Sequence, residues 1–280
     1  MIVDPLDSAP APVEFSTFWH GPLDPVTYTC LASFPFQRAE LRLYTYDAGV
    51  EVPAGITIAD ARQIVADETL TSRFIVDGRT SYSKFSNYFR YSLLRQVDTC
   101  WVDADLLCLR KPAFADDPIV IGRQFNADGP WALNGAVLKL PRKHPILAEL
   151  CERATLALDH DTKWGVIGPL LITDMAKKYR LGDQSRPPTD FYPLQFDRFW
   201  KALLPGYHRH MVKITETSVF LHLWHEHYGR SGYDKDIAPV SGSFLHGWCE
   251  RLGTLDRFKR AYERLELRRV LGDFVDERPG

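Results

Sequence analysis

The chain has 280 residues, 45% of them apolar and 25% charged, with a formal net charge of −2. That is an ordinary globular composition, long enough for one large α/β domain or two smaller ones, and it offers no overall basic field for nucleic acid. No stretch approaches the roughly 18 consecutive apolar residues of a membrane span, and the five cysteines lack zinc-ligand spacing, so reduced, mostly buried thiols are expected.

Residues 1–14, rich in Pro, Ala and Asp, read as a flexible lead-in. Their acids and prolines stand where a secretory signal needs a basic start and an apolar block, so a cytoplasmic location is expected. Phe15 to Pro22 is strand-like and stopped by Gly21-Pro22. Asp24-Pro25 comes next as an N-cap and first-turn proline, opening a helix through about Ser33. Glu40 to Tyr46 alternates polar and apolar residues as a half-buried strand does. Strand, helix and strand together make a first βαβ unit of a parallel sheet. After a Pro53/Gly55 turn, Asp60 is placed to cap another short helix.

From Ser83 to Arg95, Phe85, Phe89 and Leu93 recur every fourth position, which is helical periodicity. Asn87 and Arg90, three apart, share a different face and can point at one ligand. The next stretch, Asp98 to Leu109, is the one the chain is organised around. Thr99, Trp101 and Val102 favour a strand, and Asp103 and Asp105 come directly after it. In an open α/β sheet the C-terminal strand edge is where ligands bind.

Two carboxylates at this spacing have three uses. They can hold a hard divalent cation, act as a glycosidase acid/base pair roughly 7 Å apart, or sit solvated in a turn. Asp-x-Asp recurs at Asp159/Asp161 and Asp234/Asp236, but only Asp103 and Asp105 come after an apolar, β-like run.

Pro118 to Gly122 and Trp131 to Leu140 read as two further strands, and a helix starts at Pro145. Gly168-Pro169 opens another helix, ending near Gly182. Residues 183–212, with four prolines and many aromatics, read as an irregular lobe over the sheet edge. Thr217 to His225 is a late strand ending in His and Trp, whose alternation sets His222 and His225 on opposite faces. Residues 254–280 read as one amphipathic helix, with Leu255, Phe258, Tyr262 and Leu265 on one side and arginines on the others. Such a helix is solvated and packed on the domain, or lies on anionic lipid as a peripheral membrane contact.

The ordered segments resemble glycosyltransferases with a sugar-binding Asp-x-Asp region, as in family 32, the α-1,4-glycosyltransferases and the catalytic domains of clostridial glucosylating toxins. The fragments are Phe18-Trp19-His20-Gly21, Ser86 to Tyr91, Trp101 to Asp105, Asn134-Gly135, His144-Pro145, Gly168-Pro169 and His222-Leu223-Trp224. The resemblance implies a single GT-A type, Rossmann-like nucleotide-binding domain over residues 1–280, with a mixed, mostly parallel sheet flanked by helices. It implies retaining transfer of a hexosyl group from a nucleotide-sugar, a UDP-sugar ahead of a GDP-sugar, to a glycan or lipid-linked acceptor in surface polysaccharide or glycolipid synthesis.

By the same resemblance Asp103 contacts ribose or sugar hydroxyls and the metal, while Asp105 coordinates Mn²⁺ or Mg²⁺ on the diphosphate. Trp19 stacks on the nucleobase, Arg90 holds sugar and phosphate, and Trp224 lies near the leaving diphosphate. Asn134 joins the donor site, and His222 is a late metal or pyrophosphate ligand. One position departs: relatives carry Asp-x-x-Arg where this chain has Asn87-Tyr88-Phe89-Arg90. An amide there removes a charge and adds a donor, which bears on the choice of sugar. It also keeps open a non-catalytic nucleotide-sugar or glycan-binding protein on the same fold.

Overall fold

The computed structural model describes residues 14–114, 116–126 and 129–275. Residues 1–13 of the expected lead-in lie outside them. Strand β1 is Phe15–Phe18, succeeded by helix α1 (Pro25–Phe36) and strands β2 (Leu41–Thr45) and β3 (Ile56–Asp60). Helix α2 (Tyr82–Gln96) leads into β4 (Cys100–Val102) and β5 (Leu106–Cys108). The hairpin β6 (Val120–Asn126) and β7 (Gly129–Lys139) precedes helices α3 (Pro145–Thr155) and α4 (Leu171–Lys178). Late in the chain come β8 (Phe220–His222) and helices α5 (His225–Arg230), α6 (Phe244–Leu252) and α7 (Arg264–Leu271).

The central sheet has six strands in the order β3-β2-β1-β4-β7-β6. β1 pairs in parallel with both β2 and β4, β2 with β3, and β7 runs against both its neighbours. The sheet is therefore mixed and mostly parallel, flanked by helices, as the βαβ reading implied. Strand order reverses at β1, which places a crevice between the C-terminal ends of β1 and β4. Trp19 lies just past one of those ends and Asp103 just past the other.

Both faces of the sheet are covered. Phe15, Leu41, Leu43 and Val102 join a core with Val26, Cys30 and Phe34 of α1. Phe18, Tyr44 and Trp101 join the opposite core with Phe85, Phe89 and Leu93 of α2 and Leu147 and Leu150 of α3. The α2 periodicity thus buries one stripe, and its other face is left for Asn87 and Arg90. All five cysteines are free and buried.

Four expectations shift. Helix α1 continues past Ser33 to Phe36, carrying Pro35 within it, with Asp24 accepting from the Val26 and Thr27 amides as its N-cap. Residues 56–60, unassigned from sequence, form the exposed edge strand β3, and Asp60 then caps only a turn of 3₁₀ helix. The late strand is limited to Phe220–His222, where it pairs antiparallel with β5.

The segment from Thr254 is not one helix. Lys259 and Tyr262 donate their amides to the Asp236 and Ala238 carbonyls, drawing Arg260–Ala261 into a short parallel pair with Ile237–Ala238. Only then does a Glu263/Glu266 capping box start α7, which buries Leu267 and Leu271 and exposes Leu265. Residues 276–280 lie outside the described range. Among the described residues no helix is long and apolar enough to cross a membrane.

Candidate functional site

Strand β4 ends where the Asp103 amide donates to the Ala136 carbonyl of β7, at 2.8 Å. Asp103 lies on the same side as Trp101, two positions earlier, and so faces α2. Its Oδ1 accepts from Trp101 Nε1 and from Arg90 Nη2, both at 2.6 Å. The Arg90 guanidinium also lies 5.1 Å from the Trp101 ring centroid. Arg90 is thus partnered by Asp103 within the protein.

A tight turn carries the chain from Asp103 to β5, where the register sets His222 of β8 opposite Leu106. His222 Nε2 consequently lies 3.1 Å from Asp105 Oδ2, which also accepts from the His225 amide at 3.0 Å. Burial opposes charge on Asp105. His222 and the His225 amide outweigh it and hold the carboxyl well below the usual carboxylate range. The Arg90 guanidinium offsets part of the repulsion between the two neighbouring acids.

Asp103, Asp105 and His222 each offer one ligand atom, all within 4.8 Å of one another. Among the described residues, the hydrogen bonds to each acid fall on one oxygen, leaving Asp103 Oδ2 and Asp105 Oδ1 uncommitted. His222 Nδ1 is buried without a hydrogen-bond partner. Two free carboxylate oxygens beside an imidazole fit a divalent cation. Asp159 and Asp161 instead hold Arg73 and the Gly78 amide, and Asp236 pairs with Lys259.

The three groups line a cleft of about 360 Å³ together with Trp19, Asn87, Arg90, Asn134 and Trp224. Every site residue expected from sequence therefore borders one cavity. Trp19, half-buried just past β1, donates from Nε1 to the Pro22 carbonyl and meets the His225 ring edge-on at 5.6 Å. Trp224 takes a left-handed backbone conformation, with φ of 57°. It donates to the Leu194 carbonyl, and its ring sits 4.0 Å from that of His222. Asn134 is occupied by the protein: its Nδ2 donates to Gln124 Oε1 and its Oδ1 accepts from the Ala136 amide. Asn87 turns its Nδ2 onto the Ser83 carbonyl of its own helix.

Next to Asn134, Gly135 leaves room that a side chain would fill. An added Cβ would stand 2.3 Å from Arg90 Nη1 and 2.4 Å from Ile172 Cδ1. The glycine is what lets the guanidinium approach β7 so closely.

Sequence reasoning missed Asp24, His225 and Lys235 as one unit. His225 does not continue a strand; it opens α5, with Nε2 2.7 Å from Asp24 Oδ2 and Nδ1 3.1 Å from Lys235 Nζ. Both His225 and Lys235 line the cleft, and burial lowers the Lys235 pKa. The Asp24-Pro25 cap was visible, but nothing local ties it to residues two hundred positions later.

No family model matches the chain, and no curated protein matches it. Among solved structures it is similar to the PaToxG glycosyltransferase, at 12% identity and a TM-score of 0.40, over 62% of this chain and 73% of that one. It is also similar to an active-site mutant of LgtC, at 15% identity and a TM-score of 0.39, over 74% and 86% of the two chains. Likenesses this distant decide neither family nor activity.

Proposed function

We propose that the chain is a metal-dependent, retaining glycosyltransferase that moves a hexosyl group from a nucleotide-sugar to a glycan or lipid-linked hydroxyl. The observation that carries this reading is the convergence of Asp103, Asp105 and His222 within 4.8 Å at the switch point of a mostly parallel sheet. A nucleotide diphosphate is the ligand class that this position in an open α/β sheet favours. The mixed sheet has the GT-A organisation implied by the sequence resemblance.

Each residue has a physical task in this scheme. Trp19, at the end of β1, offers an aromatic edge of the cleft to a nucleobase, UDP ahead of GDP. When bound by Asp103, Asp105 and His222, a divalent cation would neutralise charge on the leaving diphosphate. The mixed oxygen and nitrogen donor set favours Mn²⁺ over Mg²⁺, which prefers oxygen alone. Arg90, 4% exposed and locked by Asp103 and Trp101, is a preorganised cation that adds to the same stabilisation. Lys235, on the His225 side, brings a further positive charge to the cleft wall.

Retention results if the acceptor hydroxyl attacks from the leaving-group face and passes its proton to the departing phosphate oxygen. That route asks no side chain to act as base. The cleft's walls of Trp19, Trp224 and Ile167 limit water at the cation-like anomeric carbon.

A panel of UDP, GDP and their sugars, with and without Mn²⁺, read by thermal shift and then by donor turnover, tests the proposal. Ligand that binds the native state raises its apparent stability. A shift that needs Mn²⁺, accompanied by sugar transfer or donor hydrolysis, supports the enzyme. Asn87, bonded to its own helix, favours the second reading of a non-catalytic binding protein. Binding without turnover of any donor would select that one.

A further inference from the structure

The cleft extends past the residues assigned to the donor. Beyond Asn87 its wall is the segment Lys163–Pro169, between α3 and α4. That segment is fixed at its far end. Tyr91 of α2 donates its hydroxyl to the Ile167 carbonyl at 2.7 Å. Gly168 packs so closely that a Cβ there would stand 3.2 Å from Asn87 Oδ1.

Trp164, at the other end, is 46% exposed. The Arg230 guanidinium of α5 lies 5.9 Å from its ring centroid. Val166, 40% exposed, lies beside it on the same rim. Together they present an adjoining apolar surface on the wall of a cleft, where a ligand can cover it.

We propose that Trp164 and Val166 form the acceptor subsite and that the acceptor is a carbohydrate. The inference rests on the transferase reading and extends it to the second substrate. The donor side of the cleft is already taken by Trp19, the acidic triad and Arg90. The rim past Asn87 is where an attacking hydroxyl must enter. One face of a pyranose ring presents only C–H bonds, and a half-exposed indole matches it in shape and polarity. Lys163 on the same wall, and Arg230 beside the ring with only one Nη bonded to Glu226, supply donors for the sugar's hydroxyls.

The test is saturation-transfer NMR on the full chain with UDP and Mn²⁺ present, using lactose, maltose and cellobiose as probes. At least one disaccharide is expected to bind, with the strongest transfer at ring C–H protons. Trp164→Ala should weaken that binding about tenfold or more, and Trp164→Phe should restore part of it. Trp164 is exposed, so the thermal midpoint and the UDP-Mn²⁺ shift of Trp164→Ala should match the unmodified chain. If UDP-Mn²⁺ stabilises the protein but no disaccharide binds, or binding survives Trp164→Ala unchanged, the acceptor inference is wrong. If neither UDP-Mn²⁺ nor GDP-Mn²⁺ gives a shift, the transferase reading itself fails, and the inference with it.

Discussion

Arg90 and Asp103 are joined Nη2 to Oδ1 at 2.6 Å, with the Trp101 indole donating to the same oxygen. One carboxylate oxygen is thereby saturated and the other is left for a ligand. The pair fixes which way Asp103 presents its free lone pairs, so Arg90 shapes the candidate metal site before it touches any substrate.

Arg90→Lys keeps the charge but loses the planar fork that bonds Asp103 and lies against Trp101. Turnover is expected to fall about 100-fold, as when one preorganised donor is removed from an electrostatic site. Apparent Mn²⁺ affinity should fall in the same variant. Steady-state kinetics across a Mn²⁺ series would separate the two effects.

Gly135→Ala probes the same guanidinium from behind. The new methyl group would meet Arg90 Nη1 and Ile172 Cδ1 inside contact distance, and both are buried with little room to retreat. Overpacking of this kind costs roughly 1–3 kcal/mol. A lowered thermal midpoint with a disproportionate loss of turnover is expected. A fully active, unchanged variant would show that Arg90's position is not critical.

Asp24 links the cap of α1 to the cleft through His225. Burial opposes its ionisation, but the His225 ring, the Thr27 amide and Lys235 overcome this and lower its pKa. A carboxylate with a depressed folded pKa contributes stability above its unfolded pKa, about 4, and loses it as pH falls through the folded value. Asp24→Ala should therefore cost about 1–2 kcal/mol near neutral pH, from the lost cap and the lost contact with the His225 ring. The gap between the variant and the unmodified chain should narrow below about pH 4, which urea unfolding over a pH series would measure.

Lys84 is buried in α2, its Nζ donating to the carbonyls of Ile75, Ala157 and His160. It ties the helix that carries Asn87 and Arg90 to the loop that leads into Trp164. Lys84→Met should cost about 2 kcal/mol by stranding buried acceptors. Amide exchange should rise first in residues 157–162.

The parts of this architecture that depend on near neighbours were readable in the sequence. Asp24-Pro25 caps a helix, Phe85, Phe89 and Leu93 set a buried stripe, and Trp101 and Val102 run straight into two acids. β3 escaped notice because it is an exposed edge, with Thr57, Ile58 and Asp60 all facing solvent, so no alternation marks it. The tail misled because its apolar spacing suits a helix, whereas backbone pairing with residues 236–238 decides its course. The same limit hid His225 and Lys235. Their role depends on β8 pairing with β5, a long-range contact that leaves no periodic trace near either residue.

Calorimetric titration of UDP with and without Mn²⁺, on the unmodified chain and on Asp105→Ala, is the most direct test. Mn²⁺ should be required for tight UDP binding, and removing the Asp105 carboxylate should weaken that ternary complex at least tenfold. Equal UDP affinity with Mn²⁺ and with chelator, or no effect of the substitution, would contradict a cation held by Asp103, Asp105 and His222.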